Sequence, residues 1–399
     1  MKILVLGYIP KEIGGTYTTG IANVVLELCK CKHEGIDLLC FASNAAQGKA
    51  QSNSFFHTWG YTKNLFYYIW YILKHPMKTI SSLKYYHDVL YVNPFRYLFY
   101  QVNIYRCIRS FQPNIIHAMT CGLLPVAKQI VGDTIPCVVT FHGFHYHKAV
   151  NTLKDDLFLE GVMPICDEVT ILTQETKDDI QKYFPSKYKH LAIIPNGCDS
   201  RKFYFSNEER SRIRQKYGIS NEEPVFVTVG SVNENKGQLR FIKYLHESKF
   251  EKFKYLIIGG GVDIIKIKDY IEKNGLGDNV LLIGYVQNDE TYKYYSAADF
   301  YAFTSQSEGQ SLSELEAEST GLRILINKSL TGTIPGNIAD KEKYYILNFE
   351  QTDYDSFYDW VNSPSKERDS TDIYDWNKVF LKYVSLYKDI LSNDETVRY

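Results

Sequence analysis

"IPNGCDSRKF", residues 194–203, divides the chain in two. Pro195, Asn196 and Gly197 break regular structure there, and a polar stretch follows before the next apolar run. Upstream, short continuous apolar runs recur at 3–7 (ILVLG), 36–41 (IDLLCF), 114–118 (NIIHA), 137–141 (CVVTF), 168–173 (EVTILT) and 191–195 (LAIIP). Downstream a second set stands at 225–230 (VFVTVG), 254–260 (KYLIIGG), 279–284 (NVLLIG), 299–304 (DFYAFT), 323–327 (RILIN) and 344–347 (YYIL). Runs apolar on both faces belong to parallel sheets covered by helices on each side, and most intervening stretches are long enough for a helix. The chain therefore reads as α/β, with two successive doubly wound domains, 1–196 and 197–373. The last periodic segment, 376–391, spaces Trp376, Val379, Phe380, Tyr383, Leu386 and Tyr387 at helical intervals. A C-terminal helix within 374–399 is thus expected to pack back on the first domain.

The 399 residues exceed the ~250–300 that a single core usually serves. With 45 basic against 46 acidic residues, a net charge of -1 gives no global pull toward nucleic acid, which is not expected as a partner. Eight cysteines at 29, 31, 40, 107, 121, 137, 166 and 198 form no C-x-x-C pair and read as reduced, mostly buried thiols of a cytoplasmic protein. The opening MKILVLG is too soon interrupted by Gly7 and Pro10 for a signal-peptide core and reads as a strand. The longest aromatic-apolar run, LFYYIWYIL at 65–73, falls short of the ~20 residues of a spanning helix. Residues 55–109 are dense in aromatics and carry Lys63, Lys74, Lys78, Lys84, Arg96, Arg106 and Arg109 against one acid, Asp88. Two readings stand: helices packed in the first domain's core, or an interfacial contact with anionic membrane.

Four loops offer chemistry. "IGGTYTTG" at 13–20 precedes a helical stretch, where glycines let backbone approach a diphosphate and a helix start favours an anion. Neither G-x-G-x-x-G nor a P-loop is present. In "VGSVNENKGQ" at 229–238, Lys236 is placed to neutralise a diphosphate. "FHGFHYH" at 141–147 shows no carboxylate or cysteine partner in sequence, so no metal is expected. "SEGQSLSELEAESTG" at 307–321 holds four glutamates. Ser311 with Glu314 and Ser313 with Glu316 fit capping boxes, and the helix dipole favours acids nearby. Neither explains Glu308, which precedes the helix beside Gly309.

As a set these segments resemble the retaining GT-B glycosyltransferases of family 4, also called glycosyl transferases group 1, over nearly the whole chain. The resemblance is carried by Gly14-Gly15, "TFHG" at 140–143, "IPNGCDSRKF" where that family shows I-P-N-G-V-D, "VGSVNENKG", "GYV" at 284–286, and Glu308 and Glu316 as an E-x7-E motif. It implies two Rossmann-like domains with a cleft between them, the first binding acceptor and the second binding a nucleotide diphosphate sugar. Gly15 would approach the distal phosphate, while Lys236 and the backbone N–H groups of Ser311 and Leu312 hold the diphosphate. Glu316 would take the ribose hydroxyls, Glu308 the donor sugar, and His142 both sugar and phosphate, with Tyr285 and Val286 near the nucleobase. His142, Lys236 and Glu308 are the implied catalytic set.

Departures fall in the same places. Ser231 stands where the family often has arginine, leaving more to Lys236, and Glu308-Gly309-Gln310-Ser311 replaces E-G-F-G, so Gln310 offers hydrogen bonds to a sugar substituent. Ala317-Glu318-Ser319-Thr320-Gly321 keeps a helix end at Gly321, and Glu314 and Glu318 are left to capping and dipole. The resemblance further implies a nucleotide diphosphate sugar donor, a UDP-sugar foremost, transfer of a hexose or N-acetylhexosamine to a saccharide acceptor, and no metal or cofactor. Membrane contact through 55–109 would make a lipid-linked acceptor plausible, in cell-surface polysaccharide synthesis at the inner face of the cell membrane. A non-catalytic sugar-nucleotide-binding protein and a GT-B epimerase or hydrolase are the rival readings. Retention of Glu308, Lys236, His142 and Glu316 together favours the transferase.

Overall fold

The computed structural model describes residues 1–16, 19–44, 56–57, 65–147, 152–185, 191–248, 250–334, 339–364, 368 and 374–397. Lys63, with residues 55 and 58–64 of the aromatic region, lies outside them. The chain forms two compact units, Met1–Asn196 with Trp376–Tyr399, and Gly197–Asp375.

The first unit opens with β1 (Lys2–Gly7), α1 (Gly20–Lys30), β2 (Asp37–Ala42) and β3 (Phe56–His57). Three helices follow, α2 (Leu65–Lys74), α3 (Pro76–Asp88) and α4 (Pro94–Phe111). Alternation then resumes with β4 (Ile115–Ala118), α5 (Leu124–Val131), β5 (Cys137–Phe141), α6 (Leu153–Val162), β6 (Glu168–Ile171), α7 (Gln174–Tyr183) and β7 (Ala192–Ile193). The strands pair in parallel in the order β3-β2-β1-β4-β5-β6-β7. β3 escapes sequence reading because two residues, paired with Cys40 and Phe41, make no apolar run.

The second unit runs α8 (Asn207–Lys216), β8 (Val225–Val229), α9 (Gln238–Glu247), β9 (Lys254–Ile258), α10 (Ile264–Lys273), β10 (Val280–Gly284), α11 (Thr291–Ala297) and β11 (Phe300–Phe303). It closes with α12 (Leu312–Ser319), β12 (Arg323–Asn327), β13 (Tyr344–Leu347) and α13 (Tyr354–Asn362). Its parallel order is β10-β9-β8-β11-β12-β13, reversing direction between β8 and β11.

The last helix, α14 (Trp376–Val397), belongs to the first unit. Its tyrosines reach polar groups set into an apolar sheet. His117 on β4 bonds the Tyr387 hydroxyl at 2.6 Å through Nδ1 and the Thr140 hydroxyl at 2.7 Å through Nε2. Thr140 in turn meets Thr170 at 2.6 Å and Tyr383 at 3.4 Å. Burial pushes the His117 pKa down to about 3, so a neutral ring donates through one nitrogen and accepts through the other.

In the second unit a buried charge plays the corresponding part. Arg214 on α8, fully enclosed, sets Nη2 2.7 Å from Asp299 Oδ2, and Arg210 Nη2 lies 2.7 Å from Asp299 Oδ1. The Val225 N–H also donates to Asp299 Oδ2 at 2.9 Å. Asp299→Ala strands the Arg214 guanidinium, and a loss of about 3–5 kcal/mol is expected for this unit. Denaturant titration reads it as a lowered midpoint; an unchanged midpoint would contradict the assignment.

Candidate active site

Parallel pairing of β8 with β11, Phe226 against Phe300 and Val227 against Tyr301, releases two loops side by side where the strand order reverses. Asn235 ties them together. Its Nδ2 donates to Ser307 O at 3.0 Å, its Oδ1 accepts from Ser307 N at 3.2 Å, and its carbonyl accepts from Gln306 N at 2.7 Å. The Thr304 hydroxyl donates to Lys236 O at 2.9 Å. Gly237 has φ 73°, and a Cβ there would lie 2.4 Å from Thr304 O, so only glycine permits this approach. The result brings Lys236 Nζ to 2.6 Å from Glu308 Oε1, both side chains partly buried.

Four positions on, α12 begins at Leu312. Ser311 is extended at φ -82°, ψ 123° and provides no side-chain cap; its hydroxyl meets Ser313 Oγ at 3.0 Å, and Ser313 Oγ meets the Tyr301 hydroxyl at 2.7 Å. The expected capping of this helix by Ser311 and Glu314 is therefore corrected. Glu314 stands in the first turn, where the dipole favours an acid, but Glu318 lies in the last turn and leaves the dipole role expected of it; both are buried. Glu318 accepts from Lys343 Nζ at 2.6 Å and from the Tyr344 hydroxyl. Burial and then the charge of Glu318 hold the Glu314 carboxyl well above the ordinary range, with Lys343 opposing. At its far end α12 stops as expected, Gly321 at φ 71° and Leu322 N donating to Ala317 O at 3.1 Å.

Glu316 projects from the other side of α12. Its Oε1 accepts from Asn288 Nδ2 at 3.0 Å and its Oε2 from the Tyr295 hydroxyl at 2.9 Å. Burial raises its pKa to about 7, the two hydrogen bonds and Lys202 opposing. Nearby, Gln310 is buried and Gly309 half-buried. Val286 packs against the sheet core while Tyr285 is exposed, and the Ser231 hydroxyl accepts from Asn233 Nδ2 at 3.2 Å.

Two expected residues lie in the first unit. Gly15 is buried beyond β1, where Asn44 clamps Ile9 by two hydrogen bonds of 2.8 Å. A Cβ on Gly15 would fall 2.0 Å from Ile9 O, so the glycine is required by packing alone. His142 follows β5 directly; its Nε2 is buried without a hydrogen-bond partner among the described residues, and burial pushes its pKa down to about 4. The same loop supplies a correction, because His147 does have a carboxylate partner, Asp156 Oδ2 at 2.8 Å, delivered by α6. Among the described residues no group of three His, Cys, Asp or Glu is gathered as metal ligands. Sequence reading missed Asn235, Asn288 and Tyr295; Asn235 adjoins Lys236 in NENKG, but the other two sit in stretches of similar composition with nothing to mark them.

Residues 18–202 match the model of Glycosyltransferase Family 4 and residues 209–369 that of Glycosyl transferases group 1; the chain belongs to the family-4 glycosyltransferases. An uncharacterized glycosyltransferase of Methanocaldococcus jannaschii is 27% identical over 271 residues, 63% of this chain and 66% of that protein. The alpha-monoglucosyldiacylglycerol synthase of Streptococcus pneumoniae is 26% identical over 235 residues, 54% of this chain and 52% of that protein. The chain thus spans less than two thirds of either relative. The Anabaena protein HepE in complex with UDP-glucose superimposes with a TM-score of 0.66 at 15% identity, over 99% of this chain and 100% of that one, and shares its two-domain α/β GT-B fold.

The Glu316 titration has a direction. A carboxyl moved from 4.5 to about 7 favours the protonated folded state, so its stabilisation is complete below pH 4.5 and is lost as pH rises through about 7. At about 1.4 kcal/mol per pH decade over that interval, the loss is on the order of 3 kcal/mol. Glu316→Gln lacks the titration, so its melting temperature relative to wild type should rise between about pH 5 and about pH 8. A difference that does not change with pH would refute the environment described.

Proposed function

We propose that the chain is a retaining, metal-independent transferase moving a hexose or N-acetylhexosamine from a nucleotide diphosphate sugar, a UDP-sugar foremost, to a saccharide or lipid-linked acceptor in cell-surface polysaccharide or glycoconjugate synthesis. The observation that carries this reading is the Lys236–Glu308 ion pair, held at a strand-order reversal in the loops preceding a helix start that no side chain caps. An ammonium and free peptide N–H groups suit a diphosphate leaving group, and donors aimed at developing charge are commonly the largest catalytic contribution.

In this reading Lys236 and the N–H groups of Ser311 and Leu312 meet the diphosphate, Ser231 adding no charge of its own. Glu308, released from Lys236 by the donor, accepts sugar hydroxyls and supports positive charge at the anomeric carbon, with Gly309 and Gln310 shaping the sugar pocket. Glu316 in its charged form takes the ribose hydroxyls, and Tyr285 and Val286 flank the base. From the first unit, Gly15 approaches the distal phosphate, and neutral His142 offers a ring nitrogen to sugar and phosphate without adding charge. The acceptor oxygen bonds the anomeric carbon on the face the diphosphate leaves, and its proton passes to the departing phosphate oxygen. No metal or cofactor enters these steps.

The UDP-glucose bound to the Anabaena protein supports the donor, and the glycolipid product in the streptococcal relative's name supports a lipid-linked acceptor. No described helix is long and apolar enough to cross a membrane, so a cytoplasmic protein reaching such an acceptor would do so by surface contact through 55–109.

Lys236→Ala is expected to lower kcat about 10²- to 10³-fold. Wild-type turnover, in a screen of UDP-, GDP- and ADP-sugars with and without acceptor, should be unaffected by a divalent-metal chelator. Full activity of the variant would remove the role of Lys236, activity abolished by chelation would remove the metal-free mechanism, and donor binding without turnover would make the chain a sugar-nucleotide-binding protein.

A further inference from the structure

α2 is inverted relative to a helix that faces water. Its hydroxyl-bearing residues point inward: Gln101 Nε2 donates to the buried Tyr71 hydroxyl at 3.1 Å, and the Tyr68 hydroxyl accepts from Asn103 on α4. Its opposite side presents Leu65, Phe66, Ile69, Trp70, Ile72 and Leu73, all exposed, Phe66 by 86% and Leu73 by 75%. At 100° per residue these six fill one arc of about 160°, with no polar side chain inside it. Met77 and Ile80 on α3 are exposed as well. Hydrogen bonds compensate the buried hydroxyls, but water offers nothing for so much hydrocarbon, and patches of this kind mark docking surfaces.

Charge names the occupant. Helices α2 to α4 carry Lys74, Lys78, Lys84, Arg96, Arg106 and Arg109 against the single acid Asp88, which is paired with His87. A second copy docked face to face would oppose like charges. An anionic lipid surface instead supplies hydrocarbon for the face and negative charge to complement the net positive charge of these helices. Trp70, with Lys74 Nζ 4.7 Å from its ring centroid, has the amphipathic character of an interfacial anchor.

We infer that α2 lies in the plane of an anionic membrane surface with its outward face inserted among the acyl chains. This deepens the proposed function, since it brings the first unit to the layer where a lipid-linked acceptor resides, and it rests on that reading for the acceptor alone. The binding itself requires neither donor nor turnover.

The test is flotation of the full chain with vesicles of phosphatidylcholine alone and of phosphatidylcholine with phosphatidylglycerol in equal parts. The chain floats with the mixed vesicles and not with the neutral ones, and added salt weakens the association. The double variant Phe66→Ser, Leu73→Ser, whose native side chains are exposed and whose fold is checked by circular dichroism, binds at least about tenfold more weakly. Lys74→Glu with Lys84→Glu has a loss of about the same size. Lys236→Ala floats like wild type while losing turnover, so the two readings fail separately. No flotation with mixed vesicles, equal flotation with neutral ones, or indifference to the Phe66, Leu73 pair overturns the inference. So does a dimer that this pair abolishes, which would assign the face to a second copy.

Discussion

The hydrogen-bond ladder between β8 and β11 is the constraint on which the candidate site depends. Parallel strands adjacent in space but distant in sequence start their loops at the same level, so the lysine of one loop and the glutamate of the other meet without a long reach. Asn235 then removes the remaining freedom by bonding backbone on the opposite loop. The ion pair is a product of sheet topology first and of side-chain chemistry second.

The acids around α12 show how environment divides one residue type into different tasks. Glu308 answers to an ammonium, Glu316 to an amide and a phenol, and Glu314 and Glu318 to each other, Lys343 and Tyr344. Spacing along the helix separates them: Glu314 and Glu318 share a side, and Glu316 lies across from it. Burial lowers the His142 pKa to about 4, so its ring adds no charge at neutral pH to the proposed catalytic set.

Much of the fold was legible because strands buried on both faces leave continuous apolar runs; the runs at 137–141 and 323–327 coincide with β5 and β12. The edge strands of the first sheet were less so, since β3 is two residues long and the run at 191–195 shrinks to Ala192–Ile193, whereas the second sheet's edge run at 344–347 coincides with β13. Lys236 and Glu308 were legible as motif members, whereas their contact is a property of strand order that spacing does not encode. Asn235 was hidden because its partners are backbone atoms, and any residue type supplies those. Glu314 and Glu318 were left to capping and dipole because the groups that meet Glu318, Lys343 and Tyr344, arrive at the start of β13, far along the chain. The aromatic segment was ambiguous for a simple reason: α2 buries Tyr71 while exposing Leu65, Phe66, Ile69, Trp70, Ile72 and Leu73, and one composition covers both faces.

The helix that completes the first unit is translated only after the whole of the second unit. Until Tyr383 and Tyr387 emerge, a nascent chain holds the sheet of its leading half with the imidazole of His117 and the hydroxyl of Thr140 lacking those partners, while the whole of the second unit is being translated. Maturation is therefore not strictly vectorial: the first unit is finished only after the second has been made, and any stall in between leaves it dependent on whatever shields unfinished sheets in the cell.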